Sequence, residues 1–354
     1  MQKGRIGTII GTLAVTSLAA AFVVTQGPTR SSPAELARGA VSEVTTLAEL
    51  PSGTSRAKSG AASGRHLGFD TYSYPGDEVM QAWLAEGVPY EWVGYYLPAP
   101  CHKGDTWVGK RERLATMGWG MAVIYVGQQT WDRTPRAYET KYRLVKKRVM
   151  VKKRVRTRVV RNGKRVTRYV TKRVPVTKTV SVPYRVKVDP TDRPLDQCNA
   201  NLVNGTRGRI EGDDAIRRTA AEGFPRGSVI FLDIERMEKT PQAMRDYYRA
   251  WTARVLEDGR YRPGYYAHKH NAQRIYDDVK LEFLAAGKTD EPPFWIAGGR
   301  DFSPQKAPHE VGHQFASVWQ GVLDVVQEWE GFKLPLDVNV AAVPDPSHQY
   351  VNAD

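Results

Sequence analysis

Four acidic side chains stand at the ends of, or inside, short apolar runs: Asp70 after Leu67-Gly68-Phe69, Asp233 and Glu235 in Phe231-Leu232-Asp233-Ile234-Glu235, and Asp337 in Leu336-Asp337-Val338-Asn339. Two positions apart in an extended strand, Asp233 and Glu235 point to one face. Carboxylates that converge on a closed rim push each other's pKa values apart, so one becomes a proton donor while its neighbours stay charged. Singly, each Asp reads as a cap or a buried ion pair. Together at strand ends they read as an acid/base site, and should then share one rim within roughly 10 Å, the span of two-carboxylate chemistry. His102, His268, His270, His309 and His313 form no ligand motif, so no metal or other cofactor is expected.

The elements that must carry these groups follow from the apolar runs. Strands are expected at His66–Tyr72, Tyr90–Leu97, Met121–Gln128, Val229–Glu235, Pro263–Ala267, Phe294–Gly298, Ala316–Gln320 and Leu336–Val340. The clearest helical patterns between them are Pro241–Glu257 and Ala272–Ala286, the first with Thr240 as N-cap and Gly259 just past its end. Eight strands of mostly continuous apolar character separated by helices or long loops predict an α/β chain with a (β/α)₈, TIM-type barrel, whose chemistry sits at the strands' C-terminal ends. A doubly wound open sheet is the alternative, but no Gly-rich phosphate loop follows the first strand.

The charge is unevenly spread. The 354 residues carry 52 Lys and Arg against 38 Asp and Glu, a net +14 that first suggests a phosphate-bearing partner. Residues 140–188 alone hold 19 of the cations and no acid, which leaves 33 basic and 38 acidic residues elsewhere, a net of −5. Within that stretch apolar and basic residues alternate about Asn162-Gly163, the signal of a two-residue hairpin turn. Pairing Arg161 with Lys164 sets Val159 opposite Val166, Val155 opposite Val170, Val151 opposite Val174, Val149 opposite Val176 and Val145 opposite Val180. A slip of one residue would set most of these valines against Thr, Arg or Lys. A basic β-hairpin inserted after the third strand is therefore expected, reaching about 65 Å. Pro175 and Pro183, which lack an N–H, should point that position away from the partner strand. Lys152, Lys153, Arg154, Arg156, Arg158, Arg161, Lys164 and Arg165 are its candidate polyanion contacts, toward anionic wall polymers or lipid headgroups rather than nucleic acid, since no regular aromatic ladder accompanies them. The alternative is a solvated ribbon whose cations only prevent edge-to-edge aggregation.

At the N-terminus, Lys3 and Arg5 precede an apolar run from Ile6 to Val24, the pattern of an export signal over 1–26 that is either cleaved or kept as a membrane anchor. Residues 27–64, rich in Ser, Ala, Gly, Thr and Pro, read as a linker. The barrel is expected over 65–343, interrupted at 140–188, with a C-terminal tail at 344–354. Cys101 and Cys198, an even count in an exported chain, favour a disulfide that brackets the basic segment; two isolated thiols are the other reading.

Six segments in order resemble the motifs of the glycoside hydrolase family 25 lysozymes: Gly68-Phe69-Asp70, Phe231-Leu232-Asp233-Ile234-Glu235, Gly264-Tyr265-Tyr266, Phe294-Trp295-Ile296-Ala297, Val318-Trp319-Gln320 and Leu336-Asp337-Val338-Asn339. The stretch Val123-Ile124-Tyr125-Val126-Gly127-Gln128-Gln129 is more similar to their neighbours, the glycoside hydrolase-like domain of unknown function 1906 of actinobacterial exported proteins. Together the likeness spans about Leu67 to Val343 without the basic segment. It implies cleavage of the β-1,4 bond between N-acetylmuramic acid and N-acetylglucosamine in cell-wall peptidoglycan. Glu235 would be the general acid, Asp233 the carboxylate orienting the substrate's acetamido group, and Asp70 and Asp337 the remaining rim carboxylates. Tyr72, Tyr95, Tyr125, Tyr266, Trp295 and Trp319 are candidates for stacking on sugars, with Gln128 and Gln320 as polar contacts. Where family 25 carries an acid near the end of the third strand, this chain has Gln128 and Gln129. A non-catalytic protein that binds envelope glycans in the same cleft is the second reading.

Overall fold

The computed structural model describes residues 64–348. The expected export signal, the linker up to 63 and the last six residues lie outside them. The architecture is mixed α/β around a closed eight-stranded barrel. Its strands are β1 (His66–Asp70), β2 (Trp92–Tyr96), β3 (Gly120–Val126), β6 (Val229–Ile234), β7 (Arg262–His268), β8 (Phe294–Ala297), β9 (Ala316–Trp329) and β10 (Phe332–Ala341). Five α-helices connect them among the described residues: α1 (Asp77–Ala82), α2 (Arg111–Met117), α3 (Gly205–Ala221), α4 (Gln242–Asp258) and α5 (Lys269–Ala285).

The expected (β/α)₈ arrangement needs correction at its closing strand. β1, β2, β3, β6, β7, β8 and β9 run parallel around the barrel, but β10 is antiparallel to both β9 and β1. No helix separates β9 from β10, which form a hairpin instead. β9 and β10 are also longer than expected. The hairpin's distal part runs past the barrel rim and lies against the outer layer, where Leu334 and Leu336 are buried and the Tyr90 hydroxyl donates to Gln327 Oε1 at 2.6 Å. That apolar cover serves in place of a final helix.

Side-chain alternation decides what faces the barrel interior. Gly68, Gly94 and Gly264 are inward positions, because a Cβ there would meet Trp92, Asp70 and Phe231 respectively. Asp70, Tyr96, Ile124, Asp233 and Tyr266 share that parity, and β9 and β10 contribute Gln320, Asp337 and Asn339. The outward residues pack beneath the helices: Phe69 with Trp83, Tyr90 and Trp119, and Tyr265 against Thr252 of α4. α4 begins with Pro241 rather than Thr240 as its N-cap and with no side-chain cap, and it ends at Gly259 with φ 70°.

Residues 344–348, expected as tail, close the base of the barrel. Ser347 receives the Val229 amide on its carbonyl at 2.8 Å, and its hydroxyl accepts from the Val123 amide at 2.8 Å. Its own amide donates to Met121 at 2.9 Å. These contacts tie the starts of β3 and β6 together.

After β3 the chain leaves the rim as the ribbon β4 (Tyr138–Arg161) and β5 (Lys164–Lys187), paired antiparallel with Arg161 opposite Lys164 and the five valine pairs in register. Asn162 and Gly163 have φ of 48° and 72°, as a type I′ turn requires. Pro175 and Pro183 face Met150 and Tyr142, pairs that alternate with the closing pair, so no ladder bond is lost at either. At the ribbon's base, Val188 N donates to Ala137 O, and the buried Arg207 guanidinium donates to the carbonyls of Pro190, Arg193 and Pro194. Cys101 and Cys198 form a disulfide, joining the β2–β3 connection to the segment that returns from the ribbon.

Candidate active site

The four carboxylates meet at the rim where β1, β6 and β10 present their inward positions. Asp70 and Asp337 are directly cross-strand partners of β1 and β10. Between them stands Gln320, whose amide nitrogen donates to Asp70 Oδ1 at 2.9 Å and to Asp337 Oδ2 at 3.1 Å. Its carbonyl oxygen accepts from the Tyr266 hydroxyl at 2.6 Å, which fixes the amide's orientation. Asp70 also accepts from Tyr96 Oη at 2.8 Å and from Asn339 Nδ2 at 2.8 Å. Asn339 is in turn held by Trp295, whose indole N–H donates to its Oδ1 at 2.9 Å.

Burial raises all four carboxyl groups. Asp70 is shifted up by desolvation against the pull of its three donors, and Glu235 is pushed up to about 7 by desolvation, with the Asp70 charge adding to it. Asp233 lies well above its ordinary value from burial first and the charges of Glu235 and Asp70 second. Asp337 does so from burial and then Asp70. Since hydrogen bonds from three neutral donors favour the ionised form, Asp70 is the member that keeps its charge most readily. Asp233 differs: it is buried, and its Oδ1 has no hydrogen-bond partner among the described residues. The array can therefore hold a proton on Glu235 near neutral pH, a charge on Asp70, and an uncommitted acceptor or donor on Asp233.

Gln129 shapes the turn that carries Asp233 and Glu235. Its Nε2 donates to Asp233 O at 2.8 Å and its Oε1 accepts from Glu235 N at 3.1 Å. At the position where an acid was the pattern, an amide clamps the backbone of the β6 end. On the mouth, Tyr72 is 52% exposed and lies 4.3 Å from the His102 ring, which stacks on Tyr96 at 4.8 Å. Burial lowers His102 to about 4, so this stack is neutral. His268, at the end of β7, is likewise lowered to about 4 by burial.

Of the expected contacts, Tyr72, Tyr266 and Gln320 lie at the site. Trp295 sits beneath it as a fully buried floor. Tyr95 and Tyr125 have the opposite parity and point out of the barrel: Tyr95 Oη donates to Trp107 O and Tyr125 Oη to Asp214 Oδ2. Trp319 is buried against Phe302 with its N–H on Gly298 O. Gln128 is buried among Gln197 O, Glu211 and the Asn199 amide, where it holds the ribbon's return segment. These four are structural. The eight ribbon cations are all exposed, far along β4 and β5 from the carboxylates. Tyr96, Asn339, Gln129 and His102 were not expected. Tyr96 could have been found from alternation with Gly94, and Asn339 from its place two residues after Asp337.

The family model for the Rv2525c-like, glycoside hydrolase-like domain matches residues 81–341. A comparison with curated proteins finds no match. Among solved structures, the 1.07 Å crystal structure of an uncharacterized B. stearothermophilus protein is 16% identical, with a TM-score of 0.44 over 78% of this chain and 95% of that one. The Clostridium perfringens spore cortex lytic enzyme SleM is 13% identical, with a TM-score of 0.43 over 78% of this chain and 67% of that one. With a family match over residues 81–341, most of its length, the chain belongs to the Rv2525c-like family of glycoside hydrolase-like domains.

Proposed function

We propose that this protein is a glycoside hydrolase acting on peptidoglycan or a related envelope polysaccharide, with Glu235 as the general acid. The observation that carries the reading is the Glu235 carboxyl, raised to about 7 by burial at the rim it shares with Asp233, Asp70 and Asp337. A carboxyl protonated near neutrality gives its proton to the glycosidic oxygen as the bond to the anomeric carbon breaks. Asp233, whose Oδ1 has no partner among the described residues, accepts the acetamido N–H of the sugar. The acetamido oxygen then forms the new bond to the anomeric carbon. Water attacks that carbon in the second half, breaking its bond to the acetamido oxygen, restoring the acetamide, and losing a proton to the Glu235 carboxylate, which regenerates the acid. The Asp70 charge, held by Tyr96, Gln320 and Asn339, stabilises positive charge developing on the sugar ring.

Tyr72 offers its exposed face to a sugar at the mouth. An export signal over 1–26, cleaved or retained, would deliver the enzyme to that substrate. The test is release of reducing ends from a panel of wall polysaccharides by the purified protein, with Glu235→Gln as control. Activity surviving in that variant sinks the assignment. Binding to glycan without release by the native protein favours a lectin-like role for the same cleft.

A further inference from the structure

The ribbon has no counterpart in the chemistry above. β4 and β5 are 24 residues each, about 80 Å if straight, and make no extended contact with any other element among the described residues. Of its cations only Lys141, with Glu139, has a carboxylate within ion-pair distance among the described residues. An isolated two-stranded ribbon is marginal in water, so such a length of unneutralised charge is costly to keep in one register.

The distribution of the charge over the two faces is informative. Strand parity puts ten of the 19 cations on one face and nine on the other. The first face carries Arg148, Lys152, Arg154, Arg156 and Arg158 along one strand, opposite Thr177, Arg173, Thr171, Tyr169 and Thr167. The last four of those five β4 cations come at every second residue, about 6.8 Å apart. The other face holds the valine pairs, interrupted by lysines set directly against lysines: Lys147 opposite Lys178 and Lys153 opposite Lys172. Like charges directly opposite destabilise a free ribbon. An anion lodged between them turns each repulsion into two charge-assisted contacts.

We propose that the ribbon binds a flexible linear phosphate-bearing polymer that engages both of its faces. A flat anionic bilayer meets one face and leaves the other half of the charge unused; a flexible chain does not. Base stacking has little to use as well, because an arginine lies over one face of Tyr138, Tyr169 and Tyr184, from Arg185, Arg154 and Arg143 respectively, and Tyr142 is a single open ring rather than a ladder. The ribbon leaves from the end of β3, so it is rooted on the same rim as the carboxylates while its cations range outward along the arm.

The experiment uses the full chain and labelled inorganic polyphosphate, with binding followed by anisotropy over a salt series, and cosedimentation with phosphatidylglycerol vesicles in parallel. Two variants neutralise one face each: Lys152→Gln, Arg154→Gln, Arg156→Gln and Arg158→Gln, or Lys147→Gln, Lys153→Gln, Lys172→Gln and Lys178→Gln. Counterion release from a single phosphate chain gives roughly 0.7 in log Kd per log salt for each cation engaged, so each variant should flatten the slope by about 3. Circular dichroism and hydrolysis of short uncharged glycans, which use the barrel alone, should be unchanged. Polyphosphate that fails to bind, a slope altered by one variant only, or tighter binding to vesicles than to polyphosphate overturns the proposal. The polyphosphate result stands whether or not the barrel hydrolyses glycans, so the two readings fail separately.

Discussion

Replacing Glu235 with Gln should stabilise the protein at high pH while removing its activity. The Glu235 carboxyl lies at about 7 in the folded chain against an ordinary 4.5. A carboxyl whose folded pKa is raised binds its proton more tightly when folded. Its contribution is therefore full below the unfolded value and is lost as pH rises through the folded one. The difference corresponds to about 3 kcal/mol lost between roughly pH 4.5 and 7. Gln keeps the shape and never ionises, so Glu235→Gln should unfold like the native protein near pH 4. At about pH 8 it should be more stable by about 3 kcal/mol, or roughly 6–12 °C in Tm for a body of this size. Urea or thermal unfolding across that range measures the effect. A gain that is equal at both pH values, or absent at the higher one, would refute the claim that this carboxyl is held protonated by burial. The same variant should lose about 10²- to 10⁴-fold in glycan hydrolysis, the usual worth of a general acid.

Gln320→Leu removes the amide that donates to both Asp70 and Asp337, and the charge-assisted bond to Asp70 is worth about 1.5–3 kcal/mol. The acid limb of the kcat/KM profile should move up as Asp70 takes its proton more readily, and an unmoved limb would show that Gln320 does not position the charge. In Gly94→Ala the new methyl would stand 2.6 Å from Asp70 Cβ. Overpacking of about 1–3 kcal/mol is expected in urea midpoints, together with reduced turnover from a displaced Asp70. Converting both Cys101 and Cys198 to Ser opens a bridge across 97 positions and should cost about 2–5 kcal/mol, read from unfolding of the native and variant chains under non-reducing conditions.

Much of the barrel was legible because its strands are short, apolar and bounded, and the eight expected segments overlap the eight that close the sheet. Direction was not. An apolar run such as Leu336–Val340 carries no mark of whether it runs with or against its neighbours, so the pattern cannot distinguish the antiparallel β10 from a parallel strand. The site shows a second gap, that of parity. The spacing of Asp233 and Glu235 puts them on one face, whereas the residue type of Tyr95 and Tyr125 says nothing of which face they occupy. Gly94 next to Tyr95 held the missing signal: a strand glycine marks a place where something must come close, here Asp70, and so marks its own face as the inner one. The ribbon's register was readable because period-two valines about an Asn-Gly turn admit one alignment. The Gln320 and Asn339 bridges were not, since hydrogen bonds between strands distant in sequence leave no local pattern.

The antiparallel β10 also gives the molecule a front and a back. Running from rim to base, it pairs Ala341 with His66, and residues 344–348 then cross beneath β3 and β6. Both ends of the described body thus emerge at the base, while the ribbon and the carboxylates occupy the opposite end. Holding the protein by either end, on a support or through a fused partner, would leave the mouth and the ribbon facing outward together. Trimming the last turns from the C-terminal side would instead unseal the floor.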